Sequence, residues 1–290
     1  MGDKMDYTIK NNYITAQFNL MGGELKSLNC NGKEYMLNDE RYWKYSSPLL
    51  FPVIGKLIND YTVIDGKRYD IPKHGIIRTS KFELHSIEEN KISFIFKSNE
   101  ESYKVYPYHF ELILGYELVD KQINCSINVK NTSDSKMYFN VGLHPAFILD
   151  QPFDSYRVEF EYPENNFIPS VLPNGTLNFV EPSKEVKNLS VMPLNYKDYE
   201  VDAVIFRGCS SSYCKLLDKN NKGLEFGFKD FSTVAFWTPN NLSCPFICIE
   251  PWIGYASKHN DSQEYLEKDY LVKLEKNETV DFNYYFKIID

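Results

Sequence analysis

Along most of this chain apolar residues alternate with polar ones, and that period of two dictates what the chain can fold into. From Tyr13 to Leu20, Ile14, Ala16, Phe18 and Leu20 fall on one side, and Thr15, Gln17 and Asn19 on the other. This is the signature of a half-buried strand. Phe110, Leu112, Leu114, Tyr116 and Leu118 repeat it, followed by Ile123, Cys125, Ile127 and Val129, with Asp120-Lys121 as the turn between them. Val280, Phe282, Tyr284, Phe286 and Ile288 close the chain in the same way. Gly22-Gly23 turns the chain once, and Asn31-Gly32 reads as a hairpin turn. Helical spacing is nearly absent; Ser262 to Asp269 predicts at most one short turn of helix. Many short strands joined by turns predict an all-β chain, a large antiparallel β-sandwich rather than a βαβ fold. The 22 Tyr and 20 Phe favour strands as well.

The pattern weakens between about Leu149 and Val201, where Pro152, Pro163, Pro169, Pro173, Pro182 and Pro193 interrupt it. Phe153, Tyr156, Phe160, Tyr162 and Phe167 make this stretch too apolar for a linker. It reads as loops packed over one sandwich, so a single domain spanning residues 1–290 is expected. Pro48 and Pro52 bracket an apolar triplet and argue against a central strand there.

Composition excludes several classes of partner. A net charge of −8 disfavours nucleic acid, whose phosphates need clustered Lys and Arg. No run of about 18 apolar residues exists to span a membrane. The start, Met1 to Asp6, lacks the apolar core of a signal peptide, so a cytoplasmic protein with six reduced cysteines is expected. Cys209, Cys214, Cys244 and Cys248 are spaced by four and three residues, a poor match to a zinc site.

Three polar interruptions of this apolar scaffold carry chemistry. In Gly142-Leu143-His144-Pro145, the glycine permits a close backbone approach and the proline ends strand pairing. Pro72-Lys73-His74-Gly75 and Cys248-Ile249-Glu250-Pro251 follow the same plan. A single histidine at a strand end is most often a hydrogen-bonded structural residue. Two imidazoles and a carboxylate placed alike are the parts of a general acid–base site. Arg78, four residues after His74, shares its face if the segment is extended. Glu250 ends an alternating set with Phe246 and Cys248, so burial should raise its pKa towards that of a working base. His85, His109 and His259 sit in surface or structural settings.

The ordered set His74-Gly75, Gly142-Leu143-His144-Pro145, Asp202-Ala203 and Glu250-Pro251-Trp252 resembles the aldose 1-epimerase (galactose mutarotase-like) family, in its bacterial mutarotase-like branch. The resemblance runs from about Tyr7 to Ile288. It implies a β-sandwich with a shallow sugar cleft, no metal and no organic cofactor. It further implies Glu250 as the base on the C1 hydroxyl, His144 as the acid on the ring oxygen, and His74 as a polarising group. Arg78 and Asp202 would hold sugar hydroxyls, and Lys56 stands where an Arg is common. Phe147, Trp237 and Trp252 offer apolar faces to a pyranose, with core packing as the alternative for each.

A free aldohexose is the expected substrate, bound by a monomer or homodimer. Two other readings keep the fold. One is a hexose-6-phosphate 1-epimerase using Lys56, Lys73 and Arg78, and the other is a sugar-binding module without turnover. A metalloenzyme ligated by His74, His144 and Glu250 is the remaining alternative; it lacks the close paired-ligand spacing of zinc enzymes.

Overall fold

The computed structural model describes residues 6–240 and 244–290. The reading of the first five residues therefore lies outside the described chain.

The long alternating segments form the backbone of a nine-stranded antiparallel sheet. Phe110–Val119 pairs with Gln122–Asn131 over its full length, around the turn at Asp120, which takes a positive φ. Thr279–Ile289 adds to one side of this hairpin and Lys91–Lys97 to the other. Inward positions of Phe110–Val119 are buried in strict alternation, as the period of two requires. The predicted turn at Asn31-Gly32 has both residues at positive φ and joins Glu24–Cys30 to Lys33–Glu34.

A six-stranded sheet carries Glu250 on a strand and His144 in a link between two strands, while His74 lies in a turn beside its edge, where Gly75 bridges to Phe51. Its order is Val204–Arg207, Thr233–Trp237, Phe246–Ile253, Val141–Leu143 and Leu49–Leu50, with Ala146–Ile148 also paired to Phe246–Ile253. The segment bracketed by Pro48 and Pro52 is thus a two-residue edge strand. One face of this sheet packs on the nine-stranded sheet. Phe147 meets Phe286 at 5.2 Å and Phe226 at 5.9 Å, and Phe160 meets Phe236 at 5.8 Å. A four-stranded sheet from the N-terminal region packs there too, with Phe18 against Tyr116 at 4.7 Å. Together the layers form the large antiparallel β-sandwich that the alternation predicts.

Two expectations need correction. Leu149 to Val201 contains two long strands, Arg157–Ile168 and Lys184–Pro193, rather than loops alone. Register shifts in this pair after Glu159 and Glu164 absorb Pro163 and erase the alternation that would have revealed it. A short helix, Glu100–Val105, is also present, closed by an Asn99–Ser102 capping box. The helical turn expected between Ser262 and Asp269 is a 3-10 turn, Tyr265–Glu267.

Candidate active site

Glu250 owes its place to strand parity. On Phe246–Ile253 the side chains of Phe246, Cys248, Glu250 and Trp252 face away from the nine-stranded sheet. Register sets Ala235 beside Glu250 on one neighbour strand and Gly142 beside Trp252 on the other. These small residues leave a hollow above the carboxylate. A Cβ at Gly142 would stand 2.5 Å from the Trp252 ring, so the glycine is what lets that indole lie across the strand.

His144 follows the Val141–Leu143 strand, and its Nε2 lies 3.1 Å from Glu250 Oε2. Both side chains are almost wholly buried. His144 Nδ1 has no hydrogen-bond partner. Burial pulls the His144 pKa down to about 3, with Arg78 and Lys73 adding repulsion. Burial pushes Glu250 well above the usual carboxylate range; Asp202 raises it further and Lys73 opposes. Both shifts act against separated charge, so the pair holds one proton between them.

His74 sits in the left-handed region at φ 66°, uncommon for a residue with a side chain. The turn is held by its N–H to the Gly55 carbonyl at 2.8 Å and by Gly75. A Cβ at Gly75 would fall 2.0 Å from the Phe51 carbonyl oxygen. The Gly55 N–H donates to His74 Nδ1 at 3.2 Å. That bond makes Nδ1 the acceptor, so the neutral ring carries its hydrogen on Nε2. Burial, the nearby His144 and the charges of Arg78 and Lys73 keep the His74 pKa well below its ordinary value. The ring centroids of His74 and His144 are 5.4 Å apart.

These three groups open onto one cavity of about 190 Å³, also lined by Lys56, Arg78, Asp202, Trp237 and Trp252. Arg78 reaches it from a 3-10 turn, Ile77–Thr79, rather than from an extended segment, and donates to the Lys73 carbonyl at 2.7 Å. Burial lowers its pKa. Lys56 is paired with Asp60 at 3.1 Å. Asp202 accepts from the N–H of Ala203. Trp252 is buried, and its indole N–H has no partner.

Phe147 is the exception. It is fully buried in the sandwich core and does not line the cavity. Register explains this: Phe147 pairs with Ile247, on the opposite face from Cys248 and Glu250. His85, His109 and His259 also lie off the cavity. Lys73, named from sequence only for the phosphate reading, also lines the cavity, and so does Trp43, which sequence reasoning missed. The Trp43 ring lies 4.7 Å from the His144 ring. The aromatic run Tyr42-Trp43-Lys44-Tyr45 between turns was the signal available for it.

A larger cavity of about 450 Å³ adjoins, sharing Val171, Asp202 and Ala203. It has no histidine and a mostly aliphatic wall, whereas His74, His144 and Glu250 all line the smaller one. Among the described residues, the group of donors close enough to share an ion is His144, Cys248 and Glu250, within 4.8 Å of one another. This differs from the set His74, His144 and Glu250 considered from sequence. Burial and Glu250 push the Cys248 thiol well above its usual range, against the thiolate that a soft metal requires. All six cysteines are free. No helix among the described residues is long and apolar enough to cross a membrane.

Solved structures share this architecture. A galactose mutarotase related enzyme from Lactobacillus acidophilus superposes with a TM-score of 0.93 at 26% identity, covering 99% of this chain and 98% of that one. A galactose mutarotase-like protein from Lactobacillus casei gives 0.88 at 24% identity, covering 98% and 100%. The fold is that of the galactose mutarotase-like β-sandwiches. A sequence model of the family described as aldose 1-epimerase matches residues 5–287, and the chain belongs to that family. It is also 32% identical to the plasmid-encoded protein LacX of Lactococcus lactis subsp. lactis, over 93% of this chain and 95% of that protein.

Proposed function

We propose that this protein interconverts the α and β anomers of a free aldohexose by general acid–base catalysis. The observation that carries the reading is the buried His144–Glu250 pair, 3.1 Å apart, at the floor of a cavity sized for one sugar ring.

The pair stores its proton in the uncharged arrangement, imidazole and carboxylic acid, because burial penalises charge. Moving that proton across the hydrogen bond gives imidazolium and carboxylate with no net proton uptake. Glu250 then takes the proton from the C1 hydroxyl. The C1–ring oxygen bond breaks as C1 becomes an aldehyde, and His144 delivers its proton to the departing ring oxygen. His74, with hydrogen on Nε2, donates a hydrogen bond to that oxygen as negative charge builds on it. Rotation about C1–C2 and the reverse steps close the ring from the other face. Proton transfers of this kind contribute ~10²–10⁴-fold each. Arg78 and Asp202 bind hydroxyls, and Trp237 and Trp252 offer apolar faces. The unpartnered Trp252 N–H is a further donor for a sugar oxygen.

One observation favours a second reading. Lys56, Lys73 and Arg78 all line the cavity, and together they would suit a hexose-6-phosphate. Against it, Lys56 is already paired with Asp60, Arg78 is bonded to a backbone carbonyl, and the chain is acidic overall. NMR exchange across free and phosphorylated aldoses decides between them. Higher kcat/KM on glucose or galactose than on glucose-6-phosphate is expected. The reverse order would establish the phosphate reading, and sugar binding without exchange on any of them would leave a binding module.

A further inference from the structure

Residues 37–46 form a loop whose two ends are fastened to one residue. The N–H of Leu37 donates to the Ala146 carbonyl at 2.8 Å, and the N–H of Ala146 donates to the Ser46 carbonyl at 2.7 Å. Ala146 stands two residues beyond His144. A loop of this length with adjoining ends is an Ω-type loop, a form often used for function. Its far end is tied again where the buried Glu24 carboxylate accepts from the N–H groups of Ser46 and Ser47, at 2.5 and 2.8 Å.

The loop delivers Trp43 to the cavity and sets Tyr45 behind it. Trp43 covers the His144 imidazole at 4.7 Å with 33° between the planes, while Trp237 meets the same imidazole at 84°. Tyr45 packs edge-on to Trp43 at 5.4 Å and lies beneath the Arg78 guanidinium at 5.1 Å. The Trp43 geometry fits a cation over a ring face, an attraction that exists only when the imidazole is charged.

We infer that Trp43 is a positioning residue for the acid–base pair: its indole holds the imidazole against Glu250 and favours the imidazolium formed when the shared proton crosses. The inference rests on the proposed acid–base function. Because that charged form is the reactive one, losing the ring face should lower kcat and leave KM nearly untouched.

Two substitutions separate a π face from mere bulk. Trp43→Phe keeps an aromatic face, and Trp43→Leu keeps an apolar filling without one. Trp43→Leu should lose ~10-fold in kcat, with KM within about 2-fold, and Trp43→Phe should recover most of the loss. Equal kcat in the two variants, or a loss confined to KM, would overturn the inference. A second measurement needs no turnover. Two-bond 1H–15N spectra of the imidazoles, with His144 assigned by His144→Asn and followed as pH is lowered, report the pH at which its neutral ring takes a second hydrogen. That pH should be lower in Trp43→Leu than in wild type and close to the wild-type value in Trp43→Phe; the same pH in all three proteins would overturn the inference, whether or not the wild-type protein exchanges anomers.

Discussion

The backbone turn at residue 74 decides the state of His74. It places Nδ1 on the Gly55 N–H and buries the ring, so the imidazole stays neutral well below its ordinary pKa of 6.5. A depressed folded-state pKa lends stability above 6.5 that is lost as pH falls, since the unfolded chain then takes a proton the folded one refuses. The loss approaches ~1.4 kcal/mol per pH unit for one such group. His144 adds the same over the window from 6.5 down to about 3. Glu250, held protonated above its ordinary 4.5, works the other way, gaining stability as pH falls through its raised value. His74→Asn isolates one contribution, because Asn tolerates a positive φ. Urea unfolding of wild type should weaken between about pH 6 and pH 5 more steeply than that of His74→Asn, by ~1 kcal/mol or more. Parallel slopes would show that the ring is not held neutral. Glu250 and His144 were legible in sequence because each interrupts an apolar run beside Gly or Pro. Phe147 was misread for want of its strand partner, since parity against Ile247 sends it to the core.

At the scale of elements, the alternation of Phe246–Ile253 fixed which face Glu250 would share, and the alternating hairpin at Phe110–Asn131 was readable in full. Arg157–Ile168 and Lys184–Pro193 were not, because irregular register breaks the period on which reading depends. The loop carrying Trp43 was hidden for another reason: its shape is set by hydrogen bonds to Ala146 and Glu24, distant in sequence and without pattern. Glycine gives a sharper test of element packing. Gly75 and Gly32 both have positive φ, but a Cβ at Gly32 would meet nothing, whereas one at Gly75 would strike the Phe51 carbonyl. Gly32→Ala should cost only ~1 kcal/mol from backbone strain. Gly75→Ala should cost at least ~2–3 kcal/mol and displace His74 as well. Equal urea midpoints for the two variants would mean that the turn at His74 has room to spare.

Across the whole molecule, the two faces of one sheet differ in what they hold, aromatic packing on one and the buried titratable pair on the other. One face of the six-stranded sheet is sealed against the nine-stranded sheet by Phe147, Phe226 and Phe286; the other sets Glu250, His144 and Trp252 around the cavity. Glu250 on its strand and His144 in the two-residue link between Val141–Leu143 and Ala146–Ile148 are thereby held 3.1 Å apart. The same burial that makes the core suppresses charge on the pair. Glu250→Gln keeps the shape of the side chain and removes the carboxylate proposed as the base. NMR exchange between the anomers of galactose, on folded wild-type and Glu250→Gln protein and against the spontaneous rate, tests this directly. The variant should lose at least ~10²-fold in kcat with sugar affinity nearly unchanged; anomer exchange at the wild-type rate would show that the base lies elsewhere.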